Sequence, residues 1–430
     1  MKGDGNREKQ NQATESAWAN AYSVKDPELF ARNLTRAIEE AGKVAAAWTR
    51  PPENGSPPEA ATEPAVEMVK VLSRLTEYWL GDPSRALEAQ TRLFARYLSV
   101  WTNSIGVLTG GQAAGEGIQP EERDKRFADP DWTDHPFFDF LKQVYLVTAR
   151  WAAELVENTE GLDEETLRKA RFYVRQLTEA LSPTNFLLTN PQVLRETLAS
   201  DGENLVRGMQ MLAEDVAAGK GELRLRQTDD AKFELGRNIA ATPGKVVARG
   251  DLAEIIQYQP TTAEVLRRPL LIVPPWINKY YVLDLGPERS FIRWAVDQGH
   301  TVFVISWVNP DERHADKGWE AYIREGIEFG LDAIEARTGE QTVNAVGYCV
   351  GGTLLASALA LMAQEEDRRI AAATFLAAQV DFTHAGELKV FADADQVAAL
   401  EKAMEAKGYL EGTRTAMAFN MLRARELIWP

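Results

Sequence analysis

The stretch 343–356, VNAVGYCVGGTLLA, holds the only cysteine of the chain, with a glycine two residues before it and a glycine pair two residues after it. Ahead of Cys349 runs TVNAVGY, a short apolar segment of the kind that forms a buried strand. Behind it, VGGTLLASALALMA carries no charge for more than three helical turns. Strand, tight turn and buried helix in that order describe a nucleophile elbow, where the reactive side chain sits on a strained turn. The glycines then have a steric reason, because side chains at Gly347 and Gly351 would crowd the crossing of strand and helix. The pattern G-x-C-x-G-G puts a thiol where a lipase has a serine hydroxyl. The competing reading is that Cys349 is a small buried apolar side chain, as lone cysteines usually are.

The elbow suits a thiol. At a helix N-terminus the dipole and free backbone N–H groups favour thiolate, the reactive form. The amide of Val350 would face a developing oxyanion. A second donor is expected from the loop after an earlier strand, where IVPPWINKYY offers the amide of Ile277. A thiolate also needs a base and an orienting carboxylate, which in this fold follow the nucleophile as acid and then histidine. Of the four histidines, His135, His300 and His314 precede Cys349 and read as structural or solvated. Only His384 follows, too early for the last histidine loop, and Asp381 before it reads equally well as a turn residue at a strand end.

Working outward, RPLLIVPPW, HTVFVISW, TVNAVGY and RIAAATFLAAQ are continuous apolar strands, separated by helical patterns such as ERSFIRWAVDQG and GWEAYIREGIEFGLDAIEARTG. Such strands indicate a parallel sheet covered on both faces. KVVARGDLAEIIQYQP, with Gly250-Asp251 at its centre, predicts a hairpin before them. From about residue 26 to 220 the chain reads as nearly all helix, with helices over 26–50, the region 66–110 interrupted at Gly81-Asp82-Pro83, 137–158, 163–181 and 203–219. The Pro-rich segment from Pro51 to Pro64 reads as a linker, and residues 1–25 as a disordered polar tail. The fold class is therefore α/β: an α/β-hydrolase-like parallel sheet preceded by a mostly helical domain, divided as 26–240 and 241–430.

Composition sets outer limits. With 45% hydrophobic and 26% charged residues over 430 positions, the chain matches globular averages. A lone cysteine forms no internal disulfide, and the first residues hold no apolar signal core, so a cytoplasmic protein is expected. No uncharged run approaches the length of a membrane span. The net charge of -16 argues against nucleic acid as a partner. No metal site is expected.

At these residues the sequence resembles the polyhydroxyalkanoate synthases, specifically the class I poly(3-hydroxyalkanoate) polymerases. Alongside VGYCVGGTLLA, the resemblance rests on DKRFADPDW (124–132), LSPTNFLLTNP (181–191), FELGRNIAATPGKVV (233–247) and PLLIVPPWINKYYVLDLGPERSFIRWAVDQGHTVFVISWVNPD (269–311). It covers residues 25–430. It implies that Cys349 takes a short-chain hydroxyacyl group from an (R)-3-hydroxyacyl-CoA as a thioester, with coenzyme A leaving and no other cofactor. It further implies a homodimer in the cytoplasm, associated with polyhydroxyalkanoate granules through the helical domain. Residues 381–430 resemble the start of a cap over the active site. The family's Asp and His find no matching positions, so the chain is expected to be C-terminally incomplete and its activity alone doubtful. The other readings are a non-catalytic module that binds granules or synthase, and a cysteine esterase or thioesterase of the same fold.

Overall fold

Apolar residues recurring at helical spacing, with capping residues ahead of them, build the first half of the chain. In the computed structural model, which describes residues 18, 20–48, 59–108, 117–219 and 225–429, seven helices of 9 or more residues precede the first strand. They are α1 Pro27–Trp48, α2 Glu59–Leu80, α3 Pro83–Leu108, α4 Pro136–Glu157, α5 Glu164–Ala180, α6 Pro191–Ala199 and α7 Glu203–Ala218. Three of the starts show their cause locally. Proline opens α4 and α6, where its missing N–H costs no hydrogen bond. The caps are His135 Nδ1, Asp163 and Asn190, each accepting a backbone N–H of the first turn. The short α6 lies in a stretch for which the sequence predicted no helix.

Most of the expected tail, residues 1–17 and 19, lies outside the described residues, as do 51–58 of the expected linker, 49–50 at the end of the expected helix before it, and 109–116. The last tail residues are held in place. Trp18 packs its ring 4.6 Å from that of His135, and the Tyr22 hydroxyl donates to Asp131 at 2.5 Å. The C-terminal part of the expected linker, from Glu59, belongs to α2.

The chain divides into two compact units, one comprising Met1–Gln227 with Asn420–Pro430, the other Thr228–Phe419. The expected boundary at 240/241 and this division differ by about one loop, and the last eleven residues group with the helical unit. Within that unit α1 packs along α7, and α4 lies between α3 and α5. Trp132, Phe172 and Val156 are fully buried there.

The second unit is a six-stranded sheet of order β1-β2-β4-β3-β5-β6, formed by β1 Gly244–Arg249, β2 Ala253–Tyr258, β3 Leu270–Val273, β4 Val302–Trp307, β5 Val343–Tyr348 and β6 Ile370–Leu376. The hairpin β1-β2 and the pair β2-β4 are antiparallel, and the pairs β4-β3, β3-β5 and β5-β6 are parallel. The sequence carries this distinction. Both faces of β3 and β4 are covered, so apolar residues run on without alternation.

Successive residues point to opposite faces. Leu271, Val273, Phe303, Ile305 and Ala345 pack with Ile327, Leu331 and Ile334 and with Leu354, Leu355 and Ala358 of α10 Val350–Gln364. Leu270, Ile272, Val302, Val304 and Val346 pack on Ile292, Ala295 and Val296 of α8 Phe291–Asp297. The layer is an α/β-hydrolase-like one, with β5 between β3 and the edge strand β6 and Cys349 following its C-terminal end.

Candidate active site

Cys349 connects β5 to α10 with φ 54° and ψ −127°, a left-handed-side conformation that non-glycine residues rarely adopt. Its surroundings hold it there. The Cys349 amide donates to the carbonyl of Leu376 at the end of β6 (2.9 Å), and the Cys349 carbonyl accepts from the amides of Gly352 (2.9 Å) and Thr353 (3.2 Å). The turn is thus fixed on both sides, which is how such strain persists in a folded protein. The thiol is half-buried.

The three glycines around it are sterically required. A Cβ on Gly347 would stand 2.4 Å from the Cα of Gly352, and one on Gly352 would stand 2.5 Å from the Cβ of Ala378. A Cβ on Gly351 would stand 2.2 Å from the carbonyl oxygen of Val273 and 2.7 Å from that of Pro274. The first turn of α10 therefore lies directly against the backbone that leaves β3. Gly352 carries as much of this close packing as the two glycines singled out in the sequence; the doubled glycine was its only signal.

Among the described residues the amide of Val350 meets no protein acceptor, whereas the two amides after Gly351 turn back to Cys349. Ile277 sits on the turn that follows β3, with an exposed side chain, and Pro274 and Pro275 before it are buried. The strand-end loops after β3, β4, β5 and β6 all lie on one edge of the parallel sheet, the edge where α/β proteins place their chemistry.

The loop after β6 runs beside the elbow and then departs from it. The Thr353 hydroxyl donates to the carbonyl of Gln379 (2.7 Å). Asp381 accepts the amide of Thr383 (2.8 Å), and the hydrogen bonds from Thr383 hold its carboxyl below the usual range. His384 is exposed, and no hydrogen bond or ion pair joins it or Asp381 to Cys349.

The remaining histidines stand elsewhere. His135 caps α4 in the helical unit. His300 precedes β4 with a buried Nδ1 that has no partner. His314 is buried, its Nδ1 accepting from the Asp311 amide (3.2 Å). Among the described residues no cluster of three His, Cys, Asp or Glu is placed to hold a metal, and no helix is long and apolar enough to cross a membrane.

Two cavities of about 430 and 410 Å³ lie in the helical unit, sharing Ile118, Gln119 and Arg150. The arginines of the second are largely engaged: Arg171 by Glu157 (2.6 Å), Arg126 by Asp124 (2.7 Å), Arg425 by Glu179 (2.6 Å) and Glu121 (2.9 Å). Neither cavity involves Cys349.

Residues 123–295 match the family model described as Poly-beta-hydroxybutyrate polymerase (PhaC) N-terminus. The chain is 60% identical over 413 residues to a poly(3-hydroxyalkanoate) polymerase subunit PhaC of Rhizobium etli, covering 95% of this chain and 65% of that protein. It is 61% identical to the subunit of Rhizobium meliloti, covering 95% and 67%, and 54% identical to a poly(3-hydroxyalkanoate) polymerase of Methylorubrum extorquens, covering 94% and 68%. The chain thus spans about two thirds of the length of these relatives. Among solved structures, a putative lipase from Sulfolobus solfataricus aligns with 28% of this chain and 46% of its own, at 16% identity and a TM-score of 0.22.

Proposed function

The chain belongs to the poly(3-hydroxyalkanoate) polymerase family, and from that premise we propose that it builds polyester from (R)-3-hydroxyacyl-CoA through a thioester on Cys349. The observation that carries this reading is the strained cysteine at the head of α10, with a free Val350 amide beside it.

The proposed steps use the strained thiol and the amides beside it. The Cys349 sulfur attacks the thioester carbonyl, and the electron pair moves onto the oxygen, where the Val350 amide and an amide of the loop after β3 would receive it. Collapse expels the coenzyme A sulfur, which leaves as thiolate or takes up a proton. The 3-hydroxyl of a second unit then attacks the Cys349 thioester, gives up its proton, forms the ester bond and returns the thiolate. Short-chain substrates are proposed because the GYCVGG box resembles that of class I synthases, and no cofactor is proposed, coenzyme A being the leaving group. Of the histidines only His384 follows Cys349, and it is exposed with no hydrogen bond to the thiol, so no base is assigned among the described residues. The remaining third of the relatives lies outside the matched region.

Granule association and self-association are proposed for the helical unit, whose α2 and α3 expose Val66, Val69, Leu87, Phe94, Leu98 and Trp101. Such faces also favour a second reading, a module that binds granules or another synthase without turnover. The elbow by itself admits water as acceptor in place of a hydroxyl, which would make the protein a thioesterase.

The experiment is incubation with (R)-3-hydroxybutyryl-CoA, reading coenzyme A release, the intact mass of the protein and the product, with Cys349→Ala alongside. Cys349-dependent release with an acyl adduct and an insoluble polyester is expected. Free 3-hydroxybutyrate in place of polymer would establish the thioesterase. A folded chain that acquires no adduct on Cys349 would overturn the acyl-transfer reading and leave the binding module.

A further inference from the structure

The turn that leaves β3 begins Pro274-Pro275, and proline has no N–H to donate. The first amides this turn can offer an oxyanion are those of Trp276 and Ile277. Their direction depends on how the peptide at Pro274 is set, and that peptide is held from two sides. On one side Gly351 of the elbow abuts it, a Cβ at that glycine falling 2.7 Å from both the carbonyl carbon and oxygen of Pro274. On the other, the indole Nε1–H of Trp307, at the end of β4, donates to the Pro274 carbonyl at 2.7 Å.

Trp307 is itself seated by a local irregularity. The helix that follows β4 starts as Trp319–Tyr322, passes through a π-helical segment Ile323–Glu328, and continues as α9 Phe329–Thr338. One extra residue per turn rotates the helix so that Gly326 faces the indole while Ile323 and Ile327 still reach the core. A Cβ at Gly326 would lie 2.2 Å from Cη2 and 2.4 Å from Cζ3 of Trp307, so the ring rests on bare backbone. Trp276 closes the group, its ring centroid 6.2 Å from Trp307, 5.1 Å from Tyr322 and 5.5 Å from Trp319. The turn after β3 is thus tied to one aromatic cluster through both its carbonyl and its side chain.

We propose that Trp307 is a positioning residue for acyl transfer: its indole N–H, seated on Gly326 of the π-helical segment, fixes the Pro274–Ile277 turn whose amide completes the oxyanion site at Cys349. This rests on the acyl-transfer reading above. Buried carbonyls are almost always hydrogen-bonded, and the indole gives this one its partner while leaving the helix N-terminal amides to the substrate. Without the indole bond the Pro274 peptide can rotate towards those amides, and small displacements of a donor cost a large factor in rate.

The test replaces Trp307 with its isostere β-(3-benzothienyl)alanine, in which sulfur takes the place of the N–H and the ring shape is kept; Trp307→Phe and Gly326→Ala accompany it. Three quantities are read in the full chain: transfer of the 3-hydroxybutyryl group from CoA to Cys349 in a single turnover, its KM, and the rate of Cys349 alkylation by iodoacetamide. Alkylation forms no oxyanion. The isostere is expected to slow acyl transfer by about tenfold to a hundredfold, with KM and alkylation changed by less than about twofold, and Gly326→Ala to reproduce the loss by displacing the ring.

Acyl transfer undiminished in the isostere would overturn the positioning role and leave the polymerase reading intact. Parallel losses in transfer and alkylation would also overturn it, because they report a general disturbance of the elbow. No transfer even in the unaltered chain would overturn the acyl-transfer reading itself, which hydrogen exchange separates from the loop geometry: faster exchange of the Trp276 and Ile277 amides in the isostere supports the hold on the turn, and unchanged exchange refutes it.

Discussion

At the scale of single residues the site is decided by what is missing. Cys349 takes a backbone conformation costing on the order of 1–3 kcal/mol for a residue with a Cβ, and it is affordable only because Gly347, Gly351 and Gly352 let the strand, the helix and the loop after β6 close to contact distance. Gly351→Ala is therefore a severe change: its methyl meets the Val273 carbonyl oxygen at 2.2 Å, a rigid backbone atom in the middle of the sheet. Unfolding in urea should show a loss of about 1–3 kcal/mol or more, with acyl transfer abolished. Gly318→Ala, with open space around its Cβ, should leave the elbow untouched and change stability by less than about 0.5 kcal/mol. A Gly351→Ala protein as stable as the unaltered chain would mean that β3 and α10 stand further apart than described. The spacing of these glycines around a lone thiol was legible in the sequence, because a steric requirement leaves only one residue type. Trp307 was not: its bond to Pro274 joins residues on two different strands, and nothing in the composition of VFVISW marks the last residue as anything but an apolar strand end.

At the scale of elements, legibility followed the period. The hairpin, the buried strands and the long helices were readable because burial on one or both faces imposes a repeat, and the cap Asp163 marks a helix start, whereas α6 behind Asn190 is too short to show a repeat. The π-helical segment was hidden, since its residues are those of an ordinary helix and only the packing of Gly326 against an indole calls for the extra residue. α4 offers an element-scale test. Its cap is the neutral Nδ1 of His135, which accepts the Phe137 amide (3.3 Å). Burial among Trp18, Tyr22 and Phe138 depresses the imidazole pKa below its ordinary value, and this outweighs the opposing pull of the Asp131 carboxylate. With the folded value below the unfolded one, the unfolded chain binds the proton more readily, so the contribution is present above about pH 6.5 and is lost as pH falls from there through the folded pKa. Thermal unfolding followed from about pH 7.5 down to pH 5.5 should show the transition falling. His135→Asn keeps a capping acceptor and removes the titration; its transition should be lower at the upper pH through lost ring packing, yet vary less across the range. Equal slopes for both proteins would remove His135 as the cause.

At the scale of the whole molecule, charge is the property that bears on function. The sheet unit and the helical unit both have carboxylates neutralised in ion pairs, Asp124 with Arg126 and Glu365 with Arg324 among them, but the chain as a whole keeps a net charge of -16. Its proposed substrate is a coenzyme A thioester, itself a multiply charged anion. Like charges slow encounter, and the long-range part of that repulsion is screened by salt, the Debye length falling from about 30 Å at 0.01 M to about 8 Å at 0.15 M. On the edge of the sheet that holds Cys349, Lys279 is bonded to the side-chain oxygen of Asn309, an amide and not a carboxylate, whereas Lys317 is paired with Glu325 and Asp251. One such local cation is set against the field of the whole chain. If the field governs, kcat/KM for 3-hydroxybutyryl-CoA should rise on the order of a few-fold as salt is added over this range, the change lying in KM and not in kcat. Lys279→Gln should then steepen the rise, since it removes the attraction that opposes the field. A fall in kcat/KM with salt would show instead that cations at the site outweigh the net charge, and Lys279→Gln should in that case flatten the dependence.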